Sequence, residues 1–158
     1  MEGRTYRYFR GEPLYPFGFG LSYTKFSYGN LKLDADRVRA GAGVRVSADV
    51  RNVGDRAGDE VVQLYLTDAA SSVRVPVRSL AGFERVTLRP GERRRVTFTL
   101  TPEQMTVVDD RGRRLIEPGE FLVSVGGGQP GFKGRDAAAT SEVVTGRFNV
   151  TGRVTLVP

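Results

Sequence analysis

Apolar residues recur at every second position through most of this chain, a period that suits strands with one face in a core and does not suit amphipathic helices. Val44, Val46, Ala48 and Val50 alternate with Arg45, Ser47, Asp49 and Arg51. Val62, Leu64 and Leu66 alternate with Gln63 and Tyr65; Val96, Phe98 and Leu100 with Thr97 and Thr99; Phe121, Val123 and Val125 with Leu122 and Ser124. In each run the first set is expected to face a core and the second to face solvent. No segment shows a helical period.

Turn signals separate these runs at short intervals. Asn52-Val53-Gly54-Asp55, Arg89-Pro90-Gly91-Glu92, Asp109-Asp110-Arg111-Gly112 and Glu117-Pro118-Gly119-Glu120 each hold a glycine free to take positive φ or a proline that fixes φ. Short strands joined by regular turns predict an all-β antiparallel sandwich, with room for about seven strands between Asn30 and Val125, the size of an immunoglobulin-like domain. Asp109-Asp110-Arg111-Gly112 is expected to close a hairpin between Val107-Val108 and Leu115-Ile116. At 158 residues the chain holds one such domain and a tail. Residues 126–142, with three consecutive glycines and then Gln129-Pro130-Gly131, read as a long loop. Val143-Val144 and Phe148-Asn149-Val150 then return to strand character at the sandwich edge. The triplet Asn149-Val150-Thr151 fits a glycosylation acceptor and is given no role.

Composition removes several classes of chemistry. With no cysteine there is no disulfide framework or thiolate site, and with no histidine the commonest metal ligand and general base are missing. No catalytic residue, metal ligand or cofactor-binding residue is assigned. The net charge of +6 raises nucleic acid as a partner. However, 21 arginines against 3 lysines are spread over the whole chain, and the dense run Arg93-Arg94-Arg95 sits at a hairpin mouth, so neither nucleic acid nor a membrane is expected. No run approaches the roughly 18 to 20 apolar residues a spanning helix needs, and no apolar stretch follows Met1-Glu2-Gly3-Arg4 as a secretory signal would require.

The first 28 residues are the anomaly. Nine of the fifteen aromatic residues (Tyr6, Tyr8, Phe9, Tyr15, Phe17, Phe19, Tyr23, Phe26 and Tyr28) stand there, before the expected strands begin. Rings of about 150–250 Å² each are rarely left in water together. Either the segment folds back across an open face of the sandwich, or a neighbouring domain covers it. Pro16-Phe17-Gly18-Phe19-Gly20-Leu21 alternates glycine with bulky apolar groups, as suits a backbone lying close against another surface with its rings in pockets. Tyr6, Tyr8, Phe9, Tyr15, Pro16, Phe17, Phe19, Leu21 and Tyr23 are therefore the candidate domain-packing residues. Residues 1–28 are read as the tail of a preceding domain, and 29–158 as the sandwich.

Pro13-Leu14-Tyr15-Pro16-Phe17-Gly18-Phe19-Gly20-Leu21-Ser22-Tyr23-Thr24 resembles the segment leading into the fibronectin type III-like C-terminal domain of family 3 glycoside hydrolases, the β-glucosidases and β-xylosidases. The resemblance continues in order through Asn52-Val53-Gly54-Asp55-Arg56-Ala57-Gly58-Asp59-Glu60-Val61-Val62-Gln63-Leu64-Tyr65, then Leu80-Ala81-Gly82-Phe83-Glu84-Arg85-Val86, then Leu88-Arg89-Pro90-Gly91-Glu92. It covers roughly residues 3–125. Gly126-Gly127-Gly128-Gln129-Pro130-Gly131-Phe132 is similar to the longer tail of the β-xylosidase branch.

The resemblance implies a retaining exo-glycosidase made of a catalytic barrel, a central α/β sandwich and this domain, with both catalytic carboxylates in the first two. The implied role here is non-catalytic: to cover those domains and hold their orientation. Family members are often exported or periplasmic, but nothing in this chain assigns a compartment. Asp109, Asp110, Glu117 and Glu120 are read as turn and strand-end acids. Asp55, Arg56, Asp59 and Glu60 are read as a solvated hairpin end. Two other readings stand beside this one: a freestanding carbohydrate- or polymer-binding module that stacks a polysaccharide on the N-terminal rings, and a polyanion-binding sandwich that uses the arginines.

Overall fold

The computed structural model describes residues 3–131, 142–152 and 155–156. Seven long strands form the sandwich: β1 (Phe26–Leu33), β3 (Val44–Asn52), β4 (Gly58–Asp68), β5 (Ser79–Leu88), β6 (Arg93–Leu100), β9 (Gly119–Gly126) and β10 (Val143–Thr151). Four short ones accompany them: β2 (Arg37–Arg39), β7 (Val107–Val108), β8 (Arg114–Ile116) and β11 (Thr155–Leu156). One sheet runs β1-β3-β6 and the other β2-β10-β9-β4-β5, while β11-β8-β7 make a small third sheet. All pairs are antiparallel except β10 with β2.

The alternation in β3 translates directly into geometry. Val44, Val46, Ala48 and Val50 are buried to completion, and β3 pairs with β6 in unbroken register from Val44↔Leu100 to Arg51↔Arg93. In the facing sheet, Phe121 and Phe148 stand opposite each other on β9 and β10 and stack with centroids 5.5 Å apart. The hairpin between Val107-Val108 and Leu115-Ile116 forms where it was expected, with Asp109 accepting from the backbone N–H of Arg111 and Arg113.

Several local expectations are corrected. Gln63, Tyr65 and Ser124, read as solvent-facing, are buried: the N-terminal segment lies over Gln63 and Tyr65 on the outer face of β4, and Ser124 lines a hollow with Arg78 and Pro130. Glu60 is buried rather than solvated: it points inward with Val62 and accepts the Tyr28 hydroxyl at 2.8 Å, joining the two sheets through the core. Burial first, and then the adjacent Glu60 carboxylate, keep the Tyr28 phenol protonated far above its ordinary range. β1 opens at Phe26, so Phe26 and Tyr28, counted with the tail, belong to the core. β10 lies inside its sheet, between β2 and β9, with Phe148 and Val150 buried.

A four-residue helix, α1 (Thr5–Tyr8), and a 3-10 turn, Pro102–Met105, add the helical turns that no period announced. The turn is closed by a reciprocal cap, since the Gln104 side chain accepts from the Thr101 backbone. Of the expected 126–142 loop, Gly126 ends β9 and 127–131 are turn and bend; residues 132–141 lie outside the described residues. Among the described residues no helix is long and apolar enough to cross a membrane.

Candidate functional site

The N-terminal segment becomes a strap through buried side-chain amides. Gln63, projecting from the outer face of β4, donates through Nε2 to the carbonyls of Gly18 (3.3 Å) and Gly127 (3.1 Å) and accepts the Tyr65 hydroxyl at 2.6 Å. Gln129, only 3% exposed, accepts the backbone N–H of Phe17 at 3.1 Å. Gly18 is required at the crossing. Its φ is +76°, and a Cβ there would stand 2.3 Å from Gln63 Oε1.

Aromatic contacts and backbone bonds reinforce these amides. Tyr6 stacks on Phe17 at 4.0 Å with planes 13° apart and meets Tyr65 edge-on at 6.4 Å. The Leu80 N–H donates to the Tyr6 hydroxyl at 3.3 Å, and the Val77 N–H to the Arg7 carbonyl at 2.6 Å. At the far end Thr24 donates to Asn52 Oδ1 at 2.7 Å. Asn52 is fully buried. Its Nδ2 donates to the carbonyls of Arg56 and Leu88, and its Oδ1 also accepts the Gly54 N–H, so one amide ties strap, turn and β5 together.

The candidate packing residues divide between two directions. Pro16 is buried, and Tyr6, Tyr8 and Phe19 are half-buried. Phe9 curls over Gly11, and Phe17 remains 44% exposed despite its stack. Tyr15, tilted against Phe19 at 5.1 Å, is 65% exposed; Leu21 is 77% and Tyr23 94% exposed. The segment therefore folds back on the sandwich, the first of the two arrangements considered for the tail, and still presents Tyr15, Leu21 and Tyr23 to solvent.

Residues outside the predicted set extend the surface. Phe83 (69% exposed) pairs with Gln63 across β4 and β5, and Val61 on the same outer face pairs with Arg85. Phe83 was detectable: it stands out of phase with the inward-facing Val86 and Leu88. Gln129 carried no such signal. Beside this patch Asp59 accepts from Arg85 and Thr87, whose hydrogen bonds, that of Thr87 foremost, hold its carboxyl below the usual range. Among the described residues no group of acids could hold a metal ion.

Residues 60–129 match the Fn3-like family, described as the fibronectin type III-like domain. The chain is 45% identical over 121 residues to a β-xylosidase of Formosa agariphila and 47% identical over 125 residues to the thermostable β-glucosidase B of Acetivibrio thermocellus. Each comparison covers 77% of this chain and 17% of the relative. Among solved structures, a β-glucosidase of Erythrobacter marinus superposes with TM-score 0.77 at 39% identity, covering 88% of this chain and 17% of that one. The β-glucosidase of Listeria innocua in complex with glucose superposes with TM-score 0.75 at 34% identity, covering 89% of this chain and 18% of that one. The chain thus spans about a sixth of the length of the proteins it matches.

Proposed function

We propose that this chain, whose residues 60–129 match the fibronectin type III-like domain and which is similar to the corresponding part of β-glucosidases and β-xylosidases, is the non-catalytic accessory domain of such a family 3 enzyme, docked on the catalytic domains through its strap. One observation carries the docking role: the strap is fastened to the sandwich by buried amides while Leu14, Tyr15, Leu21 and Tyr23 stay largely in water. Leaving several side chains of that size in water, with Phe83 exposed as well, is unfavourable, and a partner surface would cover them. The partner is a catalytic barrel and α/β sandwich in the same chain, in a protein that removes terminal β-linked sugars.

The experiment is an antibody to the sandwich used to size the native polypeptide in the source cells. A mass several times 17.3 kDa, together with no turnover of an aryl β-glycoside by the purified 158-residue chain, supports the reading. A native mass equal to this chain, or clear turnover by it, overturns it. Polysaccharide binding on the exposed rings is the second reading, favoured by the 94% exposure of Tyr23. Saturable polysaccharide binding that Tyr23→Ala abolishes would put it first.

A further inference from the structure

A cavity of about 330 Å³ opens at the end of the sandwich, between the start of β5, the 69–78 loop and the 3-10 turn Pro102–Met105. Its lining includes Arg7 of the strap and none of the exposed strap rings. The volume stands at the lower end of the roughly 300–1,000 Å³ typical of small-ligand sites. Loops clustered at the end of a sandwich are a recurrent place for binding.

The lining has two characters. Its floor is core: Leu66, Met105 and Phe121 are buried beneath it. Its rim holds hydrogen-bonding groups of both kinds. The carboxylates of Asp68 and Glu103 accept, the Arg7 guanidinium donates, and the hydroxyls of Ser79 and Thr106 do both. Arg7 Nη2 is held at 3.2 Å from Ser79 Oγ, which orients the guanidinium fork. Asp68 accepts the Ala70 N–H at 3.0 Å and so is fixed by its own turn, while an ionised carboxylate offers about four acceptor sites in all.

We infer that this cavity is a binding site for a single neutral pyranose ring, held by its hydroxyls to Asp68, Arg7 and Ser79 with its C–H face against the apolar floor. Ligand chemistry follows from the lining. An anion would meet Asp68 and Glu103, an ammonium ion would meet Arg7, and a wholly apolar ligand would strip water from the charged rim without replacing its hydrogen bonds. A sugar ring supplies hydroxyls that donate to the acids and accept from the guanidinium, as charge-assisted bonds require. Desolvation raises the Asp68 pKa above its ordinary value, a cost carried by the free domain and typical of groups positioned for a ligand.

The test is a titration of the isotopically labelled chain with methyl β-xylopyranoside and, in a second arm, xylotetraose, followed by amide chemical shifts. Saturable shifts centred on Asp68, Ser79, Leu80 and Thr106, weakened at least tenfold by Asp68→Asn, support the site. Equal affinity for the two sugars identifies a free monosaccharide as the natural occupant, and tighter binding of the tetramer identifies a chain end. No saturable shift, shifts confined to Tyr15, Phe17 and Tyr23, or Asp68→Asn binding as the parent does, would overturn it. If Asp68→Asn loses the dispersed spectrum of a folded protein, Ser79→Ala on the rim is read in its place against the same criterion. None of these outcomes depends on whether the strap docks on another domain.

Discussion

β3 and β4 begin from the same alternating pattern and end in different environments. The outward residues of β3, Arg45, Ser47, Asp49 and Arg51, are exposed or half-exposed, and Asp49 meets Arg93 and Arg95 at 3.9 and 3.7 Å on an open face. Of the outward residues of β4, Gln63 and Tyr65 are buried to 5% and 1% exposure beneath the strap, while Val61 beyond it stays 42% exposed. One sheet therefore has one working face and the other has two. The second face of the five-stranded sheet is where the chain fastens its own N-terminal segment, whose outer rings stay exposed to solvent.

Truncating both outer faces breaks this comparison most directly. Tyr65→Ala removes a ring buried between sheet and strap, together with its hydrogen bond to Gln63, and is expected to cost about 3–5 kcal/mol, as large aromatic deletions in cores do. Arg45→Ala on β3 removes a surface side chain and should stay within about 0.5 kcal/mol of the parent. Urea denaturation of both variants reads the difference. Equal effects would mean that the strap is not packed on β4 in solution.

A smaller effect is expected where the strap crosses Gln63. Gly18→Ala puts a Cβ at positive φ, which costs roughly 1–2 kcal/mol for an L residue, and drives it against the Gln63 amide. The sandwich core is untouched, so the loss should appear as strap release. Limited proteolysis should cut near residues 10–20 while the remaining sandwich stays intact and β-rich by circular dichroism. A variant as resistant as the parent would show that Gly18 is not the fastening point.

These contrasts also explain how much of the fold was legible from residues alone. β3 and β6 declared themselves because solvent covers one of their faces, so polarity and exposure agree in nearly every position, whereas β9 was legible from Phe121, Val123 and Val125 alone, its outer Leu122 being exposed and Ser124 buried. β4 misled because glutamine and tyrosine carry polar tips that read as outward, and the amide that buries Gln63 finds its partners 45 and 64 residues away. Glu60 misled for the same reason: its partner is the Tyr28 hydroxyl on the opposite sheet, a pairing no local spacing announces. β2 is three residues long and pairs in parallel with a strand over a hundred residues later, so it has no period to detect. The strap's aromatic density was visible, but its division into fastened and exposed rings depends on Gln63 and Gln129, which composition leaves silent.

The smallest effect concerns charge on the same sheet, where two aspartates of β4 respond to pH in opposite senses. Asp59 is exposed and accepts from Thr87 Oγ1 at 2.6 Å and from Arg85, so its carboxyl titrates lower in the folded chain than in the unfolded one. Fewer protons bind to it when folded. Its stabilisation is therefore complete above the unfolded value of about 3.9 and is lost as pH falls through the folded value. Asp68 is half-buried, and desolvation raises its pKa. The folded chain then binds the proton more readily, so the stability linked to this group is present at low pH and lost as pH rises through the folded value. Asp59→Asn should lower the urea midpoint near pH 7 and approach the parent near pH 3. Asp68→Asn should raise the midpoint near pH 7 and lose that advantage near pH 3. If Asp68→Asn instead destabilises the domain at neutral pH, its carboxylate is structural, and the case for a sugar-facing group at the sandwich mouth weakens with it.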